Sequence, residues 1–116
     1  MNRILVINND FDTMDLLKQW LERKNFIVKF TGKREDVPDL LKDFAPDLFI
    51  IDSQQSEVAT QLKQQAENAS VPVLMMTGYT AKANRQLTTN DVIEKPFDLK
   101  LLEKKINILM DGKKSV

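Results

Sequence analysis

Leu48-Phe49-Ile50-Ile51-Asp52, entered through Pro46-Asp47, is an apolar run without polar alternation that ends on a carboxylate. A strand that is apolar on both faces must be covered on both faces, the condition of a central strand in a parallel sheet. Three other runs share this form. Ile4-Leu5-Val6-Ile7 ends in Asn8-Asn9, Val71-Pro72-Val73-Leu74-Met75-Met76 ends in Thr77, and Val92-Ile93-Glu94 ends in Lys95 before Pro96. As parallel strands of one sheet, their C-terminal ends share an edge, where open α/β sheets place their sites. A carboxylate, a hydroxyl, an ammonium and two amides would then meet in one crevice.

Helical spacing fills the gaps between these runs. Met14, Leu17 and Leu21 with Trp20 predict a first helix, with Asp10 and Asp12 placed to cap it. Phe26–Phe30 reads as a strand whose interior Lys29 suggests an edge position, and Thr31-Gly32 turns the chain. Asp36 is placed to cap a short helix through Leu40, Leu41 and Phe44, with Pro38 tolerated in its first turn. Ser56–Glu67 carries Val58, Leu62 and Ala66 on one stripe and glutamines outside; Ala81–Leu87 predicts a short helix. Asp98 caps a final helix with Leu99, Leu102, Ile106 and Leu109 inward, stopped by Asp111-Gly112. Five β/α units of this size predict a single doubly wound (βα)5, flavodoxin-like domain with parallel order 2-1-3-4-5. That domain occupies 1–112 and leaves 113–116 as a frayed tail.

Composition is compatible with one packed core. The chain has 116 residues, 42% hydrophobic and 29% charged, ordinary for a globular domain. Seventeen basic and seventeen acidic residues cancel, so no global field favours nucleic acid or an anionic membrane. The absence of cysteine and histidine excludes disulfides, thiol chemistry, the usual zinc sites and histidine-based catalysis within the chain. No apolar stretch approaches a membrane span and Met1-Asn2-Arg3 leads directly into a strand, so a cytoplasmic location is expected. Lys33-Arg34 and Lys104-Lys105 are too short for nucleic-acid patches, while Trp20 and the five methionines read as core.

Over nearly its whole length the chain resembles the receiver domain of bacterial response regulators. Arg3 to Phe26 runs ungapped against that family's acidic-pair strand and first helix. Pro46–Asp52 looks like its phosphoacceptor strand, Val71–Thr77 like its switch-hydroxyl strand, and Glu94-Lys95-Pro96-Phe97-Asp98 like its lysine-proline element. The resemblance implies Asp52 as phosphoacceptor, Thr77 as switch hydroxyl and Lys95 as phosphate-binding cation. It implies magnesium at Asn9, Asp52 and Gln54, with Asn8 nearby. Implied partners are a histidine kinase or phosphotransfer protein, a downstream protein, and a second copy of the chain.

The departures fall at the site. Where the family has an acidic pair, this chain has Asn8-Asn9, so a crevice of about two net negative charges becomes about neutral. Each lost carboxylate removes ~4 kcal/mol of gross attraction per unit cation charge at roughly 4 Å and an effective dielectric of about 20, before desolvation offsets it. Magnesium should therefore bind weakly. The asparagines are read first as satisfying backbone groups at the sheet edge. Ser53–Glu57 and the Thr77–Lys95 stretch are shorter than usual in the family. Val92 stands where the family has an aromatic residue, and its single stiff χ1 cannot exchange rotamers as a ring does. The expectation is a stand-alone signalling module of a phosphorelay, not an enzyme, working through protein–protein contacts. The alternative is a flavodoxin-like cofactor-binding protein or small enzyme in the same crevice. It lacks a glycine-rich phosphate loop, because residues 8–12 contain no glycine.

Overall fold

The computed structural model describes residues 2–8, 11–52, 56–77, 92–94 and 98–114. Among these, strands β1 (Arg3–Ile7), β2 (Ile27–Thr31), β3 (Leu48–Asp52), β4 (Val73–Thr77) and β5 (Val92–Glu94) form one sheet. Its order is β2-β1-β3-β4-β5, and each neighbouring pair is parallel. The helices are α1 (Phe11–Arg23), α2 (Val37–Asp43), α3 (Ser56–Asn68) and α4 (Leu99–Lys114). The doubly wound topology and its strand order are those expected from the apolar runs.

Successive strand residues face opposite ways, and the core divides along that alternation. Ile4, Val6, Leu48, Ile50, Leu74, Met76 and Ile93 pack with Leu17 and Leu21 of α1 and with Leu102, Ile106 and Met110 of α4. Leu5, Ile7, Phe49, Ile51 and Val73 pack with Val37 and Leu41 of α2 and with Ala59, Leu62 and Ala66 of α3. Trp20 is half-buried against the first of these cores. β2 is an edge, with Ile27 and Lys29 exposed.

Left-handed residues follow the ends of α1, α2 and α3, at Asn25, Ala45 and Ser70, and at α1 and α3 a six-to-one bond closes the helix. Phe26 N–H donates to Leu21 O at 3.1 Å across Asn25, and Val71 N–H to Ala66 O at 2.9 Å across Ser70. Asn25 and Ser70 have φ of 69° and 59°, the arrangement of a Schellman closure. At the opposite end of the sheet from the crevice, Arg3 ties β1 to β3. Its N–H donates to Asp47 Oδ2 at 2.9 Å and its Nη1 to Phe44 O at 2.9 Å. The Asp47 N–H returns a bond to Arg3 O at 2.7 Å.

Several local expectations need correction. Asp36 occupies the N-cap position of α2 but makes no side-chain cap bond. A 3-10 turn (Arg34–Asp36) runs directly into the helix, holding Asp36 in helical dihedrals and leaving no extended residue to cap. Asp12 lies inside the first turn of α1 rather than before it. β4 begins at Val73 because Pro72 has no N–H to give the ladder, although Pro72 O accepts from Phe49 N–H at 3.0 Å. α4 runs to Lys114, two residues past the expected stop. Gly112 stays helical, since no described glycine has positive φ, and a helical glycine costs only about 1 kcal/mol. The cap at Asp98 is as expected, with Lys100 N–H donating to Asp98 Oδ1 at 2.8 Å. The short helix expected at 81–87 lies outside the described residues.

Burial should separate two isoleucines of the sheet. Ile50 is fully buried and Ile27 is 47% exposed. In urea unfolding, Ile50→Ala should lose about 2–5 kcal/mol and Ile27→Ala no more than about 0.5 kcal/mol. Equal losses would contradict the assigned strand faces.

Candidate functional site

The crevice is assembled by register. In the ladder between β1 and β3, Ile7 lies beside Ile51, so the next rung sets Asn8 beside Asp52. Asp52 in turn pairs with Met76 of β4, and Thr77 with Glu94 of β5. Four strand ends therefore lie along one rim, as the apolar runs implied. Asn8, Asp52 and the backbone of Thr77 are placed there. Lys95, Asn9 and Gln54 lie outside the described residues, as does the Thr77 side chain.

Asn8 is the most enclosed polar residue of the rim among the described residues, at 2% exposure. Its backbone N–H donates to Thr31 O at 3.0 Å, carrying the ladder with β2 one residue past Ile7. Its side-chain amide has a further role, with Nδ2 donating to Asp52 Oδ2. The orientation follows from chemistry, because an amide oxygen turned toward a carboxylate would set lone pair against lone pair. Thr31 closes the neighbouring turn, where Lys33 N–H donates to Thr31 Oγ1 at 3.1 Å.

Asp52 is partly buried at the end of the central strand. One carboxylate oxygen accepts a charge-assisted bond from a neutral donor, which stabilises the anion and fixes its direction. The sequence reading missed this pairing. The signal was present in the equal lengths of the two runs, since Ile4–Ile7 against Leu48–Ile51 leaves residue 8 opposite residue 52.

A hard cation needs oxygen ligands, preferably charged ones. The described donors at the rim are one carboxylate and one amide whose N–H group faces that carboxylate. Among the described residues no cluster of three acidic or other metal-binding side chains occurs. As they stand, these residues do not fit a tightly held magnesium ion.

Residues 4–107 match the response regulator receiver domain family, and the chain belongs to that family. It is 30% identical to the transcriptional regulatory protein CpxR of Escherichia coli K12, across 95% of this chain and 50% of that protein. It is 24% identical to the heme response regulator HssR of Staphylococcus saprophyticus, across 95% of this chain and 52% of that protein. The chain thus spans about half the length of these curated relatives. Among solved structures it is similar to the receiver domain of the TMAO respiratory response regulator TorR. There the TM-score is 0.81 at 18% identity, covering 97% of this chain and 98% of that one. At that identity the likeness speaks for the fold alone. No described helix is long and apolar enough to cross a membrane.

A double-mutant cycle checks the rim pair. Asn8→Ala and Asp52→Ala, alone and combined, should show a coupling of about 1.5–3 kcal/mol in urea unfolding. Additive losses would contradict the bond.

Proposed function

We propose that this receiver domain is a protein-binding signalling module of a phosphorelay in which phosphoryl transfer to Asp52 is impaired. The observation that carries this reading is a carboxylate at the C-terminal rim of the central strand, tied to an amide where the family has acids. Asp52 is the candidate phosphoacceptor. Its oxygen would attack the phosphorus of a phosphohistidine, forming an O–P bond as the N–P bond breaks and the imidazole leaves with the pair. Thr77 is assigned as switch hydroxyl and Lys95 as phosphate-binding cation. Magnesium at Asn9, Asp52 and Gln54 is weak, because it must compete with the Asn8 amide without the charge of an acidic pair.

Partners are a histidine kinase or phosphotransfer protein on the input side and a downstream protein or second copy on the output side. The valine at position 92 favours an output surface that does not depend on an aromatic rotamer. The sequence after β1 speaks against a flavodoxin-like cofactor, since residues 8–12 contain no glycine to cradle a phosphate.

The test is incubation with acetyl phosphate, with and without MgCl2, read by intact mass. A minority of molecules should carry one phosphoryl adduct, little changed by magnesium and abolished in Asp52→Asn. An adduct that survives Asp52→Asn would remove the nucleophile assignment. Complete, magnesium-dependent phosphorylation would remove the impaired site.

A further inference from the structure

We infer that Asn8 takes the place of the cation: its amide compensates the Asp52 carboxylate from within the protein, so the resting crevice is indifferent to divalent ions. The inference deepens the reading of this rim as a receiver's phosphoryl site and rests on it. It also makes that indifference the property of one residue.

Three observations carry it. Asn8 is 2% exposed, and a buried amide must be hydrogen-bonded or suffer a desolvation penalty. Its Nδ2 meets that need on Asp52 Oδ2. Its backbone is not free to withdraw, because the Asn8 N–H is bonded to Thr31 O at 3.0 Å. The strand before it is also paired on both sides, with β2 and with β3. A cation approaching Asp52 Oδ2 must therefore break a charge-assisted bond and turn a buried amide over before it gains an oxygen ligand.

The same geometry defines the opposite case. A carboxylate at position 8 would face Asp52 in a partly buried site, setting two like charges where a donor now meets an acceptor. A divalent ion bridging the pair would relieve that repulsion. Asn8→Asp should thus turn an ion-indifferent domain into an ion-dependent one. The double variant N8D/D52N exchanges amide and acid across the rim and should return the domain to indifference.

Thermal unfolding of the full chain in EDTA and in MgCl2 tests this. Wild type should melt at the same temperature in both, within about 1 °C. Asn8→Asp should melt roughly 5–10 °C lower in EDTA and recover at least half of that loss in MgCl2. N8D/D52N should regain the wild-type melting temperature in EDTA and respond to magnesium no more than wild type. A wild-type melting temperature that climbs several degrees with magnesium would overturn the inference, as would Asn8→Asp melting like wild type in EDTA. If Asn8→Asp fails to fold in EDTA, the double variant decides: folding supports the exchange and failure refutes it. No phosphodonor enters, so failure here leaves Asp52 standing as phosphoacceptor, and an unphosphorylated Asp52 leaves the amide clamp standing.

Discussion

The pairing of β1 with β3 is the constraint from which the site follows. Ile7 beside Ile51 sets the next rung, and that rung is the buried amide and the carboxylate. The register is held at the other end by Arg3, whose backbone and guanidinium bind Asp47 and Phe44. It is held along its length by burial on both faces. Because strand side chains alternate, a slip of one residue would move Asp52 to the opposite side of the sheet and exchange the two cores. Register and chemistry are therefore one specification.

Most of the fold was legible because parallel sheets leave a strong signature. Leu48–Ile51 is apolar throughout, since helices cover both its faces, and Lys29 marked β2 as an edge by the same logic. Helix ends were less legible. Asp36 has the composition of a cap, yet the preceding 3-10 turn takes its backbone. Gly112 has the composition of a stop, yet it stays helical. Both residues have local preferences worth about 1 kcal/mol, which neighbouring structure overrides.

At the site, Asp52 and the rim position of Thr77 could be read from the ends of apolar runs. The partner of Asp52 could not be read from either run alone, because it depends on a pairing between residues far apart in sequence. Asn8 looked like a residue that had lost a metal-binding acid. Its position gives it a different meaning: the amide is a donor, and a donor beside a carboxylate performs part of what a cation would.

That claim is tested most directly by the side-chain amide of Asn8 in solution. In a nitrogen-edited NMR spectrum of the full chain, its two Nδ2 protons should exchange slowly with water. They should hold their shifts through a magnesium titration and lose their protection in Asp52→Ala. An Asn8 amide that exchanges freely, or that moves with magnesium while its neighbours do not, would contradict the clamp.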